Sequence, residues 1–128
     1  MELKDYFENQ QGVGVLSTAD SEGNVNAAIY ARPHVMDDGS VAMIMRDRLS
    51  HLNLQSNPKA AYLFMEDAPP GFKGKRLYLQ KIKEEQDQER INELRRRCYQ
   101  NEDELNKEAM FLVYFRILKE LPLIGDGQ

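Results

Sequence analysis

A chain of 128 residues falls within the usual size of one domain and can bury a core without disulfides or a metal, so a single domain spanning 1–128 is expected. Its 17 Lys and Arg against 21 Asp and Glu give a net charge of −4, which argues against a general nucleic-acid binder, because that needs a broad basic face. Cys98 is the only cysteine, the two histidines lie far apart, and neither a signal-peptide pattern nor a membrane-length apolar run occurs; disulfide, zinc-type and membrane readings drop out, and the expected compartment is the cytoplasm.

Leu3, Tyr6 and Phe7 recur at helical spacing, predicting a short opening helix that ends near Gln11 and Gly12 and covers one mouth of a barrel. Gly12–Ala19 alternates and is β-branched enough for a strand, and Asp20 to Asn24 form a polar, glycine-containing turn. Val25–Pro33 supplies the next strand, with Val25, Ala27, Ile29 and Ala31 on one face and Asn26, Ala28, Tyr30 and Arg32 on the other. A turn over Met36 to Ser40 leads into Val41–Met45, so the first three strands are expected to form an antiparallel meander.

Val41–Met45 and Ala60–Met65 are apolar runs too short for ordinary helices, and each fits a strand covered on both faces. The helix between them is well marked. Ser50 can cap it by accepting from the Asn53 N–H, Leu49 and Leu54 stand at the spacing of a hydrophobic staple, and Pro58 drives Asn57 out of helical geometry. Arg46, Arg48 and His51 surround its start, where unpaired N–H groups and the positive end of the helix dipole favour a phosphate.

Beyond the Pro and Gly loop of residues 68–75, Arg76–Lys83 returns to strand, with Leu77 and Leu79 facing opposite to Tyr78 and Gln80. Residues 84–100 are charged, but Ile91, Leu94 and Cys98 share one helical face, and a further helix is expected after Asn101. Met110–Leu118, MFLVYFRIL, is the most apolar run and reads as a sixth, central strand. The element order fits an α+β, mainly β, six-stranded antiparallel split β-barrel with short flanking helices.

That order, together with GVLSTADSEGNVNAAIYARP, the strand–helix–strand containing NLQSNPKAAYLF, and GKRLYL, resembles the pyridoxamine 5′-phosphate oxidase-like family of FMN-binding split barrels. The resemblance implies a homodimer with one flavin mononucleotide at each of two equivalent clefts between subunits. By position it points to Ala28, Tyr30, Ala31 and Arg32 on the second strand, Ile44, Met45 and Arg46 at the end of the third, and Ser50 and His51 at the helix start. FMN needs a flat slot for its ring and cations plus N–H groups for its phosphate. Ala28 and Ala31 would give the ring room, Arg32, Arg46 or Arg48 would meet the phosphate bidentately, and Arg76 would complete the site from the same or the other subunit.

The oxidase proper carries an Arg-Lys pair at the helix start, where this chain has Leu49-Ser50, so the phosphate clamp falls to Arg46, Arg48 or His51. Its extended C-terminal segment has no counterpart in LKELPLIGDGQ, so vitamin B6 oxidation is not expected. Other residues read more plainly. His34 is assigned to the surface or an interface, Tyr62 and Tyr78 to packing, Arg95–Arg97 to a solvated helical face, and Cys98 to the core. The leading expectation is an FMN-dependent oxidoreductase acting on a small substrate that the sequence does not name, with no dedicated acid or base. The rivals are a protein that holds flavin, heme or a deazaflavin without turnover, and a cofactor-free barrel serving as an interaction module.

Overall fold

The computed structural model describes residues 2–67, 71–95 and 109–125. Among the described residues, the elements follow one another as α1 (Leu3–Asn9), β1 (Gly12–Ala19), β2 (Val25–Tyr30), β3 (His34–Val35), β4 (Val41–Arg46), α2 (Leu49–Ser56), β5 (Lys59–Glu66), β6 (Gly74–Glu85), α3 (Gln88–Leu94) and β7 (Met110–Pro122). The strands form one seven-stranded antiparallel sheet in the order β2-β1-β5-β6-β7-β4-β3. Among the described residues, no helix is long and apolar enough to cross a membrane.

The β1–β2 hairpin stands as expected, but the meander does not. The third expected strand, β4, leaves β2 and pairs with β7, Val41 opposite Phe115 and Arg46 opposite Met110. Pairing with the most apolar strand buries Val41, Met43 and Met45 on one face and Ala42 on the other, which a place beside the half-exposed β2 would not. The extra strand, β3, is a two-residue ribbon on β4, formed where the chain turns through Met36 to Ser40. Shifts in the β6–β7 register at Tyr78/Leu79 and Lys81/Lys83 help the long ribbon coil.

The core fills the concave side. Leu16, Tyr62, Phe64, Leu77, Leu79 and Phe115 are fully or almost fully buried there, and Tyr6 and Phe7 of α1 plug one end by edge-to-face packing on Phe64 at 5.9 and 5.4 Å. A second cluster, Ala42, Ile91, Met110 and Leu112, forms under α3 on the other side of β4 and β7. β5 is covered on one face only: Ala60, Tyr62 and Phe64 are buried while Leu63 and Met65 are exposed. The expectation of a doubly covered strand therefore fails for β5 and holds for β4. Of the charged segment after β6, Gln88–Leu94 is helical, capped by Asp87 accepting from the Arg90 N–H, and the expected Cys98 and Asn101 features lie outside the described residues.

Candidate functional site

A cavity of about 650 Å³ lies between β2 and β4, strands that do not pair with each other. The two-residue period of β2 turns Asn26, Ala28 and Tyr30 toward it and leaves Val25 83% exposed on the opposite face, while Ile29, 71% exposed, and Ala31 and Arg32 just past the strand also border the cavity. β4 contributes Met43, Ile44 and Arg46, and the start of α2 contributes Arg48, Leu49 and Ser50. Arg95, just past α3, and Met110, opening β7, complete that side. No acidic side chain lines the cavity among the described residues, although four arginines do, in a chain of net charge −4.

α2 begins without a side-chain cap. Arg48, not Ser50, occupies the N-cap position in extended geometry, and Leu49 is half exposed while Leu54 is buried, so no staple forms. Ser50 turns its hydroxyl to β2 instead. It accepts from Asn26 Nδ2 at 3.2 Å and shares a hydrogen bond with the Tyr30 phenol. Burial raises the Tyr30 pKa above its ordinary value, against the opposing pull of the Ser50 hydrogen bond and the Arg48 charge. The cavity wall thus carries a neutral phenol at physiological pH.

Arg32 lines the cavity with part of its guanidinium already engaged: Nη1 donates to the carbonyls of Phe7 at 2.8 Å and Gln10 at 2.9 Å, satisfying the last turn of α1. Arg46 stands opposite Met110 in the β4–β7 ladder, and Arg95 Nη2 reaches the same residue's sulfur at 3.7 Å, which gathers the two arginines around one methionine.

Of the residues expected at the site, Ala28, Tyr30, Ala31, Arg32, Ile44, Arg46, Arg48 and Ser50 meet around this cavity. Three do not. Met45 is fully buried, because alternation along β4 turns it into the core with Val41 and Met43. His51 points the other way from the first turn of α2, to Asp47 and Glu84, and stacks on Phe111. Arg76 donates to the carbonyls of Pro122 at 2.9 Å and of Gly125, which ties it to the end of β7.

Arg95, His34, Asn26, Met43 and Met110 also line the cavity and were not among the expected residues. For Asn26 the signal was present, since it shares the inward face of β2 with Ala28 and Tyr30. Arg95 had none, because only tertiary packing brings the end of α3 beside Met110.

Neither a family model nor a curated protein matches the sequence. Solved structures do match the fold. An FMN-binding protein from Syntrophomonas wolfei superposes with a TM-score of 0.73 at 20% identity, over 95% of this chain and 84% of that one. A candidate pyridoxamine 5′-phosphate oxidase from Lactobacillus delbrueckii gives 0.64 at 18% identity, over 94% and 92% of the two chains. A heme binding protein from Mycobacterium smegmatis gives 0.67 at 16% identity, over 95% of this chain and 52% of the longer one. The chain has the split-barrel fold of the pyridoxamine 5′-phosphate oxidase-like proteins.

Proposed function

We propose that this protein binds FMN in the β2–β4 cavity, as one half of a homodimer, and serves as a flavin-dependent oxidoreductase for a small substrate. The observation that carries the reading is a cavity of about 650 Å³ with four arginines and no acid among its described lining residues. That volume is in the range of small-molecule sites, about 300–1,000 Å³. The residues present fit the group. Ala28, Ala31 and Ile44 offer the small and flat apolar wall that a fused ring needs, while Arg46 and Arg48 offer charged donors to a phosphate.

Bound flavin would supply hydride exchange at its N5. The chain would hold the ring, screen it from water, and present the Tyr30 phenol as a neutral hydrogen-bond donor at the wall. The dimer is supported by an apolar patch on the sheet that reaches the cavity at Val13 and Ile29. Ile29, Val15 and Leu63 stand in one row across β2, β1 and β5, with Val13 and Met65 in the next, and all but the half-buried Val15 are exposed. An apolar patch of this kind marks an interaction surface, and a second copy of the same face is the partner proposed.

FMN titration tests the binding, and reduction by NADH or NADPH with turnover on an acceptor separates an enzyme from a carrier. A second reading, heme, is favoured by His34 and Met110 on the cavity wall, since imidazole and thioether are axial-ligand types. A Soret shift that disappears in His34→Ala would support it over flavin.

A further inference from the structure

His51 lies outside the cavity wall. It is 6% exposed, yet both ring nitrogens face carboxylates: Nδ1 lies 3.2 Å from Asp47 Oδ1 and Nε2 lies 2.9 Å from Glu84 Oε2. A neutral imidazole has one N–H, so it can donate to only one of these oxygens and turns a lone pair on the other. Only the imidazolium donates to both. The ring is also stacked on Phe111 at 4.0 Å and 17°, an arrangement that favours a cation over a π face.

The cluster draws on four segments of the chain. Asp47 comes from the turn after β4, and Gln55 from α2 donates to Glu84 Oε1 at 2.9 Å and to the His51 carbonyl at 3.0 Å, with its Nε2 also 3.2 Å from His51 Nε2. Glu84 and Lys81 come from β6, where the Lys81 ammonium bonds Glu84, and Phe111 comes from β7. With His51 charged, Lys81 and His51 balance Asp47 and Glu84. With His51 neutral, the cluster carries one net negative charge, one turn from Arg48 and Ser50.

We infer that His51, as an imidazolium clamped between Asp47 and Glu84, is a positioning residue that fixes the start of α2 so that Arg48 and Ser50 meet an anion in the cavity. The inference rests on the proposal that this corner takes a phosphate, and it adds a pH-sensitive control of that grip. Loss of the His51 proton turns an imidazole lone pair toward a carboxylate, leaves the Gln55 amide as the one donor beside Nε2, and loosens the turn between β4 and α2. It also leaves uncompensated negative charge beside the anion.

Sulfate tests this without the flavin ring, because it stays a dianion throughout the neutral range. Sulfate affinity is read from the Arg48 and Ser50 amide resonances at successive pH values, and the His51 ring nitrogens are followed by nitrogen-15 NMR in the same samples. Sulfate binding is expected to weaken by about tenfold as His51 loses its proton, with the same midpoint for both signals. His51→Gln is expected to bind sulfate about tenfold more weakly at the acid end and to show no such midpoint. Glu84→Gln, which can keep a neutral hydrogen bond to His51, guards against a folding defect and is expected to shift the midpoint to lower pH.

Identical sulfate curves for wild type and His51→Gln overturn the inference, as does a wild type whose Arg48 and Ser50 amides ignore sulfate. Should His51→Gln fail to fold, an unmoved midpoint in Glu84→Gln overturns it as well. Sulfate binding that follows His51, in a protein that ignores FMN, sustains the positioning role and defeats the flavin reading. FMN binding with sulfate affinity indifferent to His51 does the reverse.

Discussion

The Tyr62 hydroxyl donates to the carbonyl of Ala31 at 3.1 Å, carrying a hydrogen bond from β5 across β1 to the end of β2. It can do so because Gly14 lies beneath its path. A Cβ on residue 14 would sit 1.9 Å from the Tyr62 oxygen and 2.7 Å from the Tyr30 carbonyl. This crossing fixes the segment just after β2, from which Ala31 and Arg32 line the cavity.

Tyr62→Phe is expected to cost about 0.5–1.5 kcal/mol, the net value of one hydrogen bond. Gly14→Ala is expected to cost more, about 1–3 kcal/mol, because the new methyl also meets the Tyr30 backbone, which cannot rotate away. Urea unfolding measures both. A Gly14→Ala variant as stable as the parent would show that the close approach is not a constraint.

Arg46→Ala and Arg48→Ala should each weaken FMN more than riboflavin, by about 1.5–3 kcal/mol, the value of a hydrogen bond to a charged group. Arg76→Ala is the control. Its guanidinium is held at the Pro122 and Gly125 carbonyls, so both ligands should bind it as they bind the parent. Paired titrations decide: equal loss for FMN and riboflavin would assign the two arginines to the ring or to folding.

Acid stability should depend on Glu84. Partial burial pushes its pKa up, but hydrogen bonds from Lys81, Gln55 and His51 outweigh burial and lower it from the ordinary 4.5 to about 2. A carboxylate depressed in the folded state stabilises the fold fully above its ordinary value, and that contribution is lost as pH falls through the window from 4.5 to about 2. Glu84→Gln should therefore be less stable than the parent at neutral pH, and its urea midpoint should fall less steeply over that window. Parallel curves for the two proteins would remove Glu84 from the account.

The row Ile29, Val15 and Leu63 should mark the contact between subunits. Light scattering of the parent is expected to give twice the mass of one chain, and Ile29→Lys or Leu63→Lys to give a single chain of unchanged secondary structure. A dimer that survives both substitutions would place the contact elsewhere.

What could be read from the sequence was local. Alternation over Val25–Tyr30 separated the two faces of β2, because a strand with one solvated side carries that division in its own pattern, while the resemblance supplied which residues to place at the site. The short helix before Asn57 and Pro58 was equally plain. Partnership was not: the apolar run of β4 shows that it is a strand, but nothing in it says that β7 rather than β2 lies alongside. His51 shows the same limit more sharply. A histidine at a helix start beside two arginines reads as an anion contact until Glu84, 33 residues on, is seen to hold its ring away from the cavity. Arg76 and Arg95 exchanged roles for a similar reason, one tied to the end of β7 and the other brought beside Met110 by packing alone.

Equilibrium dialysis of the purified protein against FMN, with the visible spectrum of the retained flavin, tests the central claim most directly. One flavin retained per chain, with quenched fluorescence and a perturbed absorption band, is the predicted result. Flavin distributed equally across the membrane, with the spectrum it has in buffer even at saturating protein, would contradict it.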